Sequence, residues 1–378
     1  MEKRKKKLEL YIHIPFCMRK CEYCDFLSGP ANQTRQKEYV DALCREIQAS
    51  SGYEEYEVCS IFFGGGTPSV LAGEWIARIM QEINQRFVVL EDAEISLEAN
   101  PGTVTVEKLL QYKKAGINRI SFGCQSSDND ELKRLGRIHT WEEFLESFSM
   151  AREAGFTNIN VDLISGLPEQ SLKKWETTLE KVAKLNPEHI SAYSLIVEEG
   201  TPFAERSLNL PDEEEERLMY ENTATILETY GYHPYEISNY AKKGYECRHN
   251  CGYWKRTEYL GLGLGSASLV NETRFCNTSD MELYIEFSGR PSKLREDVQC
   301  LSVQDQMEEC MFLGLRMLEG VSRKEFLERF GQTLESVYEN VIKKYVDLGL
   351  LAWNGEFLCL TRSGISVSNQ IFADFLQN

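Results

Sequence analysis

Residues 11–26 read YIHIPFCMRKCEYCDF, and the organisation of the chain turns on this stretch. It begins inside LELYIHI, residues 8–14, where polar and apolar side chains alternate among β-branched and aromatic residues, the pattern of a strand. It runs directly into Cys17, Cys21 and Cys24, separated by three and then two residues. A structural zinc takes four ligands and a disulfide takes two. Three thiolates in one tight loop can instead bind three irons of a [4Fe–4S] cube, leaving the fourth iron to an outside ligand. His13, four residues before Cys17, is the alternative, since it would complete a Cys3His zinc site. It lies within the strand, however, and Pro15 stiffens the link to the cysteines.

The strand pattern returns in EVCSIFF (57–63), AEISLEA (93–99), NRISFG (118–123), NINVDLI (158–164) and HISAYSL (189–195). Helical periodicity falls near 34–50, 73–87, 104–115, 128–135, 141–154 and 171–184. Strands alternating with helices predict an α/β fold with a parallel sheet and helices outside it. Six such units make a partial (β/α)6 barrel; a seventh and eighth of the same kind are not legible. Chemistry in such barrels sits on the loops after the strands, where the three cysteines fall. From residue 303 the texture changes to three helical stretches. A hairpin-like segment, LAWNGEFLCLT, follows with Asn354-Gly355 at its turn, and then a last helix. This predicts a small, mainly helical, winged-helix-like domain at the C-terminus. The chain divides accordingly into a barrel core (1–200), an accessory segment (201–295) and the C-terminal domain (296–378).

Composition excludes several functions. With 59 acidic and 42 basic residues the net charge is −17, which argues against nucleic acid as a partner, because phosphate binding needs a basic face. The one basic run, EKRKKK (2–7), reads as a solvated tail, with a peripheral membrane or partner contact as the alternative. The segment after it holds Glu9 and His13 and leads to no small-residue cleavage site, so it is not a signal peptide. No apolar stretch is long enough to span a membrane. Twelve cysteines without a secretory signal point to reduced thiols in a cytoplasmic protein. Cys44, Cys59, Cys300, Cys310 and Cys359 sit singly in amphipathic segments and read as small core hydrophobes.

Other segments carry chemistry of their own. In GGGTP, Gly64 to Pro68, the backbone can approach a ligand closely and present N–H groups, or simply make a tight turn. Glu98 ends the third strand, where a carboxylate can accept from a hydroxyl or an amine or be a solvated loop acid. GLGLGSAS (261–268) fails the dinucleotide fingerprint because its sixth position is Ser266, and reads as close backbone packing near the barrel mouth.

CxxxCxxC before an aromatic-rich loop resembles the signature of the radical S-adenosylmethionine (SAM) superfamily. YIHIPFC, FFGGGTPS, LEANPGT, RISFGCQS, LGRIHT, VDLISGLPEQ and HNCGYW together resemble the HemN/HemW group of oxygen-independent coproporphyrinogen III oxidases and haem-chaperone relatives, through almost the whole chain. The resemblance implies a [4Fe–4S] cluster on Cys17, Cys21 and Cys24. SAM would sit on the open iron, and an electron from the cluster would cleave it to a 5′-deoxyadenosyl radical. It implies SAM contacts at Tyr11, Tyr23, Gly64, Gly65, Gly66, Thr67, Glu98, Gln125, Arg137 and Asp162. Of these, Gln125, Arg137 and Asp162 match contacts to a second SAM in the oxidase.

HNxxYW, here His249, Asn250, Tyr253 and Trp254, resembles the chaperone branch and is linked there with haem. A neutral imidazole can ligate haem iron, and Tyr253 and Trp254 offer flat apolar surface. The ordinary alternative is a buried histidine holding a loop by hydrogen bonds; a local metal site with Cys247 and Cys251 is a third. The oxidase carries a further cysteine, CxxxCxxCxC, where this chain has Asp25-Phe26, and a long segment before its first strand. The expected function is a haem chaperone that passes haem to an acceptor protein, respiratory in our reading, with an electron donor serving the cluster. The alternatives are the coproporphyrinogen III oxidase and a radical SAM protein acting on another substrate.

Overall fold

The computed structural model describes residues 5–376. Six βα units lead the chain: β1 (Lys6–Ile14), α1 (Gln33–Ala49), β2 (Tyr56–Gly65), α2 (Gly73–Arg86), β3 (Val89–Ala99), α3 (Val106–Lys114), β4 (Arg119–Gln125), α4 (Asn129–Arg134), α5 (Trp141–Glu153), β5 (Ile159–Ser165), α6 (Leu172–Lys184) and β6 (His189–Ser194). β1 to β6 lie side by side in chain order, each pair parallel. This is the expected partial (β/α)6 arrangement, with helix ends within a residue or two of those predicted. Side-chain caps set several of the starts. Asn32 accepts from the Arg35 N–H, Ser171 from that of Lys174, and Thr140 with Glu143 forms a capping box at α5.

The period of two along β1 divides the sheet into two faces. Leu8, Leu10, Ile12 and Ile14 are fully buried in a core shared with the helices. Glu9, Tyr11 and His13 alternate with them on the opposite, inner face, which is polar in layers. Glu9 pairs with Ser60 and Ser60 with Glu94 across β1, β2 and β3. Nearer the strand ends His13 pairs with Gly64, and Glu98 with Ser121.

The sheet continues at both edges, which the sequence pattern did not show. After α7 (Glu213–Glu228), β7 (His233–Pro234) and β8 (Asn239–Ala241) add antiparallel strands beyond β6. α8 (Arg248–Trp254) then crosses to β9 (Tyr259–Leu262), which pairs parallel with β1. β10 (Ala267–Val270), β11 (Thr273–Asn277), α9 (Met281–Phe287) and β12 (Arg295–Cys300) complete a sheet of twelve strands among the described residues. β9 is the parallel strand that sequence reading missed; YLGL is only four residues long and holds a glycine, so its strand signal is weak. The close packing expected of GLGLGSAS is present. A Cβ on Gly263, at φ +108°, would meet the Tyr39 hydroxyl at 2.5 Å and the His13 carbonyl at 2.7 Å.

A second core runs from Met307 to Phe375, separate from the main core that ends at Leu294. It is built from α10 (Val303–Gly314), β13 (Val321–Ser322), α11 (Arg323–Phe330), α12 (Leu334–Asp347), and the hairpin β14 (Leu351–Asn354) and β15 (Phe357–Leu360), followed by α13 (Arg362–Ile365) and α14 (Ser368–Asp374). Three helices and a hairpin whose turn holds Gly355 at φ +61° match the winged-helix expectation.

Two expectations need correction. Residues 2–4 of the basic run lie outside the described residues, but Lys6 and Lys7 are not tail. They begin β1, and the Lys6 ammonium is 3.2 Å from Glu258. Cys300 is not a core residue: it ends the edge strand β12 and is exposed, whereas Cys44, Cys59 and Cys359 are buried and Cys310 is intermediate. No helix among the described residues is long and apolar enough to cross a membrane.

Candidate functional site

The loop that leaves β1 is fastened on both sides. The Cys17 N–H donates to the Gly29 carbonyl, and the Gly29 N–H returns a bond to the Pro15 carbonyl, each at 3.0 Å. His13 Nε2 lies 2.9 Å from the Leu27 carbonyl and must donate to it, which leaves Nδ1 to accept from the Tyr11 hydroxyl at 3.2 Å. Both imidazole nitrogens are thus used in holding the cysteine loop, and His13 is not available as a fourth ligand. Among the described residues no three His, Cys, Asp or Glu side chains converge closely enough for one metal ion. A cubane spreads three thiolates over three irons, which matches three cysteines whose neighbouring histidine is already engaged.

Cys17, Cys21 and Cys24 are all partly exposed. Burial pushes the Cys24 thiol up; the Phe26 backbone lowers it, and the charges of Cys21 and Cys17 raise it further. Binding cationic iron would remove that mutual repulsion. Arg137 faces the same loop: Nη1 donates to Cys21 Sγ at 3.5 Å, and Nη2 donates to Asn100 Oδ1 at 2.7 Å and to the Gly123 carbonyl at 2.6 Å. Tyr23 is held beside it; burial raises its hydroxyl pKa, against which the charge of Arg137 acts. Arg137, which the resemblance matches to a contact with a second SAM, stands beside the cysteine loop.

The glycine turn after β2 is stitched to the same strand. The Gly66 N–H donates to the Ile14 carbonyl at 2.8 Å and the Thr67 N–H to the Phe16 carbonyl at 2.7 Å. Those two donors are therefore spent on the fold rather than presented to a ligand. The glycines are needed for close approach: a Cβ on Gly65, at φ +107°, would meet the His13 ring at 2.5 Å, and one on Gly66 would meet the Phe16 carbonyl at 2.6 Å. Gly64 is bounded by the rings of Tyr11 and Phe62.

Thr67 is buried, and its hydroxyl accepts from Asn100 Nδ2 at 2.8 Å. Thr67, Asn100, Arg137 and Cys21 therefore form one connected series around a small cavity that they line with Met18 and His139. Asn100 was not singled out from the sequence, although it stands in LEANP; its signal was its place at the end of a barrel strand.

Glu98, half-buried on the inner face, is pushed up to about 8, first by burial and then by the charge of Asp162, while the Gly65 backbone pulls the other way. Asp162 is held by Ser121 at 2.8 Å and Asn160 at 2.7 Å. Gln125, buried at φ +70°, leaves its Oε1 without a hydrogen-bond partner. A Cβ on Gly123 would come within 3.0 to 3.2 Å of Asn100, Gln125 and Arg137, so the absence of a side chain there lets the three converge. An unpaired buried carbonyl and a carboxylic acid that holds its proton near neutrality are what a mouth built for a polar ligand retains without one. The residues present therefore fit an iron–sulfur cluster with SAM beside it.

HNxxYW lies elsewhere. α8 packs on the polar layer nearer the strand starts, where the His249 N–H donates to Glu94 Oε1 at 3.2 Å. His249 is 1% exposed; Nδ1 is 2.8 Å from the Ser60 hydroxyl and Nε2 is 3.2 Å from the Tyr253 hydroxyl. Burial, with the charge of Arg119, lowers its pKa to about 3. Its ring stacks on Phe62 with centroids 5.2 Å apart. The side chain expected to ligate haem iron is a neutral, doubly hydrogen-bonded strut between α8 and the sheet. Trp254 instead turns toward the C-terminal domain, with the Arg316 guanidinium 4.5 Å from its ring centre.

Residues 11–182 match the radical SAM superfamily, and residues 301–367 match the HemN C-terminal domain. A solved structure similar to the chain is the Escherichia coli coproporphyrinogen III oxidase HemN, described as a radical SAM enzyme. The two agree in fold with a TM-score of 0.86 over 99% of this chain and 91% of that one, at 24% identity. The fold and the cysteine loop define a radical SAM protein. The chain is 39% identical to the heme chaperone HemW of Bacillus subtilis, over 97% of its own length and 98% of the relative's. It is 36% identical to the heme chaperone HemW of Escherichia coli over 98% of both. The chain belongs to the HemW family.

Proposed function

We propose that this protein is a haem chaperone, binding haem and passing it to an acceptor protein in the cytoplasm or at the face of a respiratory membrane. The observation that supports this most is its identity, over nearly the full length, to relatives named as heme chaperones. Asp25 and Phe26, standing where the oxidase pattern has its additional cysteine, agree with it.

In this proposal Cys17, Cys21 and Cys24 hold a [4Fe–4S] cluster, and Tyr11, Gly64 to Thr67, Glu98, Gln125 and Asp162 line the place for SAM. The cluster and SAM together supply one-electron reduction and, from it, a 5′-deoxyadenosyl radical. The chain's own residues do the positioning. His13 holds the loop closed on Leu27, and Arg137 places a cation beside Cys21. Gln125 offers its unpaired carbonyl to a donor. An electron donor is required, and the partly exposed cysteine loop leaves it an approach.

Anaerobic reconstitution tests the cluster: about four irons per chain are expected. Cys17→Ala, Cys21→Ala and Cys24→Ala should each lose that iron, while Cys44→Ala should keep it. SAM should then change the electron paramagnetic resonance spectrum of the reduced cluster. A protein that takes up one zinc and no iron would overturn the assignment.

A further inference from the structure

On the inner face of the sheet, β5 and β6 carry polar side chains two residues apart. Asn160 stands opposite His189, and Asp162 opposite Ser191. Ser121 of β4 flanks Asn160 on its other side. Asn160 and His189 are buried, while Asp162, one step nearer the barrel mouth, is partly exposed.

The hydrogen bonds along this series run one way. Asn160 Nδ2 donates to Asp162 Oδ1 and to the Ser121 hydroxyl, each at 2.7 Å, and Ser121 donates in turn to Asp162 Oδ2 at 2.8 Å. Only the amide nitrogen can face a carboxylate, so the Asn160 carbonyl points the other way. That oxygen is 2.5 Å from His189 Nδ1 and accepts from the Ser191 hydroxyl at 3.2 Å. His189 Nδ1 must therefore carry a hydrogen. Burial and the charge of Arg119 hold the imidazole pKa well below its usual value, so the ring is neutral and Nε2 is an acceptor. The Tyr235 hydroxyl, 2.8 Å away, donates to it. The Tyr235 oxygen accepts in turn from the N–H of Cys247, the residue that caps α8, at 3.2 Å. Packing two strands together does not require a fixed tautomer. Keeping a carboxamide the right way round does.

We propose that His189 is a positioning residue for the SAM site: through Asn160 it fixes the carboxylate of Asp162, and Tyr235 fixes His189. The inference rests on the reading above, in which Asp162 lines the place for SAM. Two of the roughly four acceptor positions of that carboxylate are filled by Asn160 and Ser121, which leaves the others for a ligand. A reversed Asn160 would turn its own oxygen on Asp162 and push the carboxylate out of place.

The test is titration of SAM into the reduced, cluster-loaded full-length chain, followed by electron paramagnetic resonance, with iron content and Tm recorded for each variant. Asp162→Asn should weaken SAM binding about tenfold or more. The informative pair is His189→Asn and His189→Gln. The amide nitrogen of asparagine is attached where Nδ1 is, whereas that of glutamine lies as far out as Nε2. Both leave a gap in the core and both should lower Tm, but only His189→Asn keeps a donor for the Asn160 carbonyl. His189→Gln should weaken SAM binding about tenfold, and His189→Asn about threefold at most. Tyr235→Phe, which keeps the ring and its packing, should weaken it about threefold. Added to Asp162→Asn, neither His189→Gln nor Tyr235→Phe should cost anything further. If Asp162→Asn weakens SAM binding but His189→Gln and Tyr235→Phe match wild type, or His189→Asn and His189→Gln lose equally, or the losses add in the double variants, His189 only packs the barrel and the SAM site stands. Should the His189 variants fail to fold, Tyr235→Phe, alone and on Asp162→Asn, decides. If Asp162→Asn binds SAM as tightly as wild type, Asp162 is not in the site and both fall.

Discussion

Arg137 and Cys21 are joined across the barrel mouth: the guanidinium donates to the sulfur at 3.5 Å, and its other nitrogen is fixed by Asn100 and Gly123. A cation held beside a thiolate favours the added negative charge of a reduced cluster, and hydrogen bonds to sulfur act in the same direction. Arg137→Gln should therefore keep about four irons per chain but make the cluster harder to reduce. A redox titration followed by electron paramagnetic resonance measures this. An unchanged or more positive potential would show that Arg137 does not act on the cluster.

Glu98 gives a pH dependence with a defined sign. Its folded pKa of about 8 lies above the ordinary 4.5, so its contribution to stability is fully present below about pH 4.5 and is lost as pH rises through about 8. If the carboxylate accepts from bound SAM, binding must first remove that proton. Apparent SAM affinity should then rise about fivefold between pH 7 and 8 in wild type beyond any change seen in Glu98→Gln. Parallel profiles for the two proteins would remove Glu98 from the site.

Gly252 should break the usual rule for helices. Glycine to alanine inside a helix normally stabilises by about 0.5–1 kcal/mol. Here a Cβ would collide with the carboxylate of Glu9, which is 2% exposed and has little room to move. Gly252→Ala should therefore destabilise, by about 1–3 kcal/mol, by lifting α8 from the sheet. Thermal unfolding decides the sign, and a rise in Tm would contradict this packing.

The barrel was legible because its six strands alternate so regularly that LELYIHI and its repeats announce both faces at once. The cysteine loop was legible because the spacing of Cys17, Cys21 and Cys24 is local. The rest depended on contacts far apart in the chain. Nothing near YLGL says that Leu260 will lie beside Leu10, since a four-residue strand with a glycine carries little pattern of its own. HNxxYW offered three readings, an iron ligand, a buried hydrogen-bonded strut and a local metal site, and the contact of His249 with Ser60, 189 residues away, could not be read from the motif itself. Arg137 was matched to a ligand contact by motif, but its partner Cys21 lies 116 residues earlier.

The most direct measurement of function is made on one preparation, reconstituted under argon with iron and sulfide. Coproporphyrinogen III, SAM and a reductant are supplied in one portion and haem in the other. The expected result is a haem complex with a Soret band distinct from that of unbound haem, and no protoporphyrinogen formed. Turnover of coproporphyrinogen III without a haem complex would contradict the chaperone function and place the protein with the oxidases.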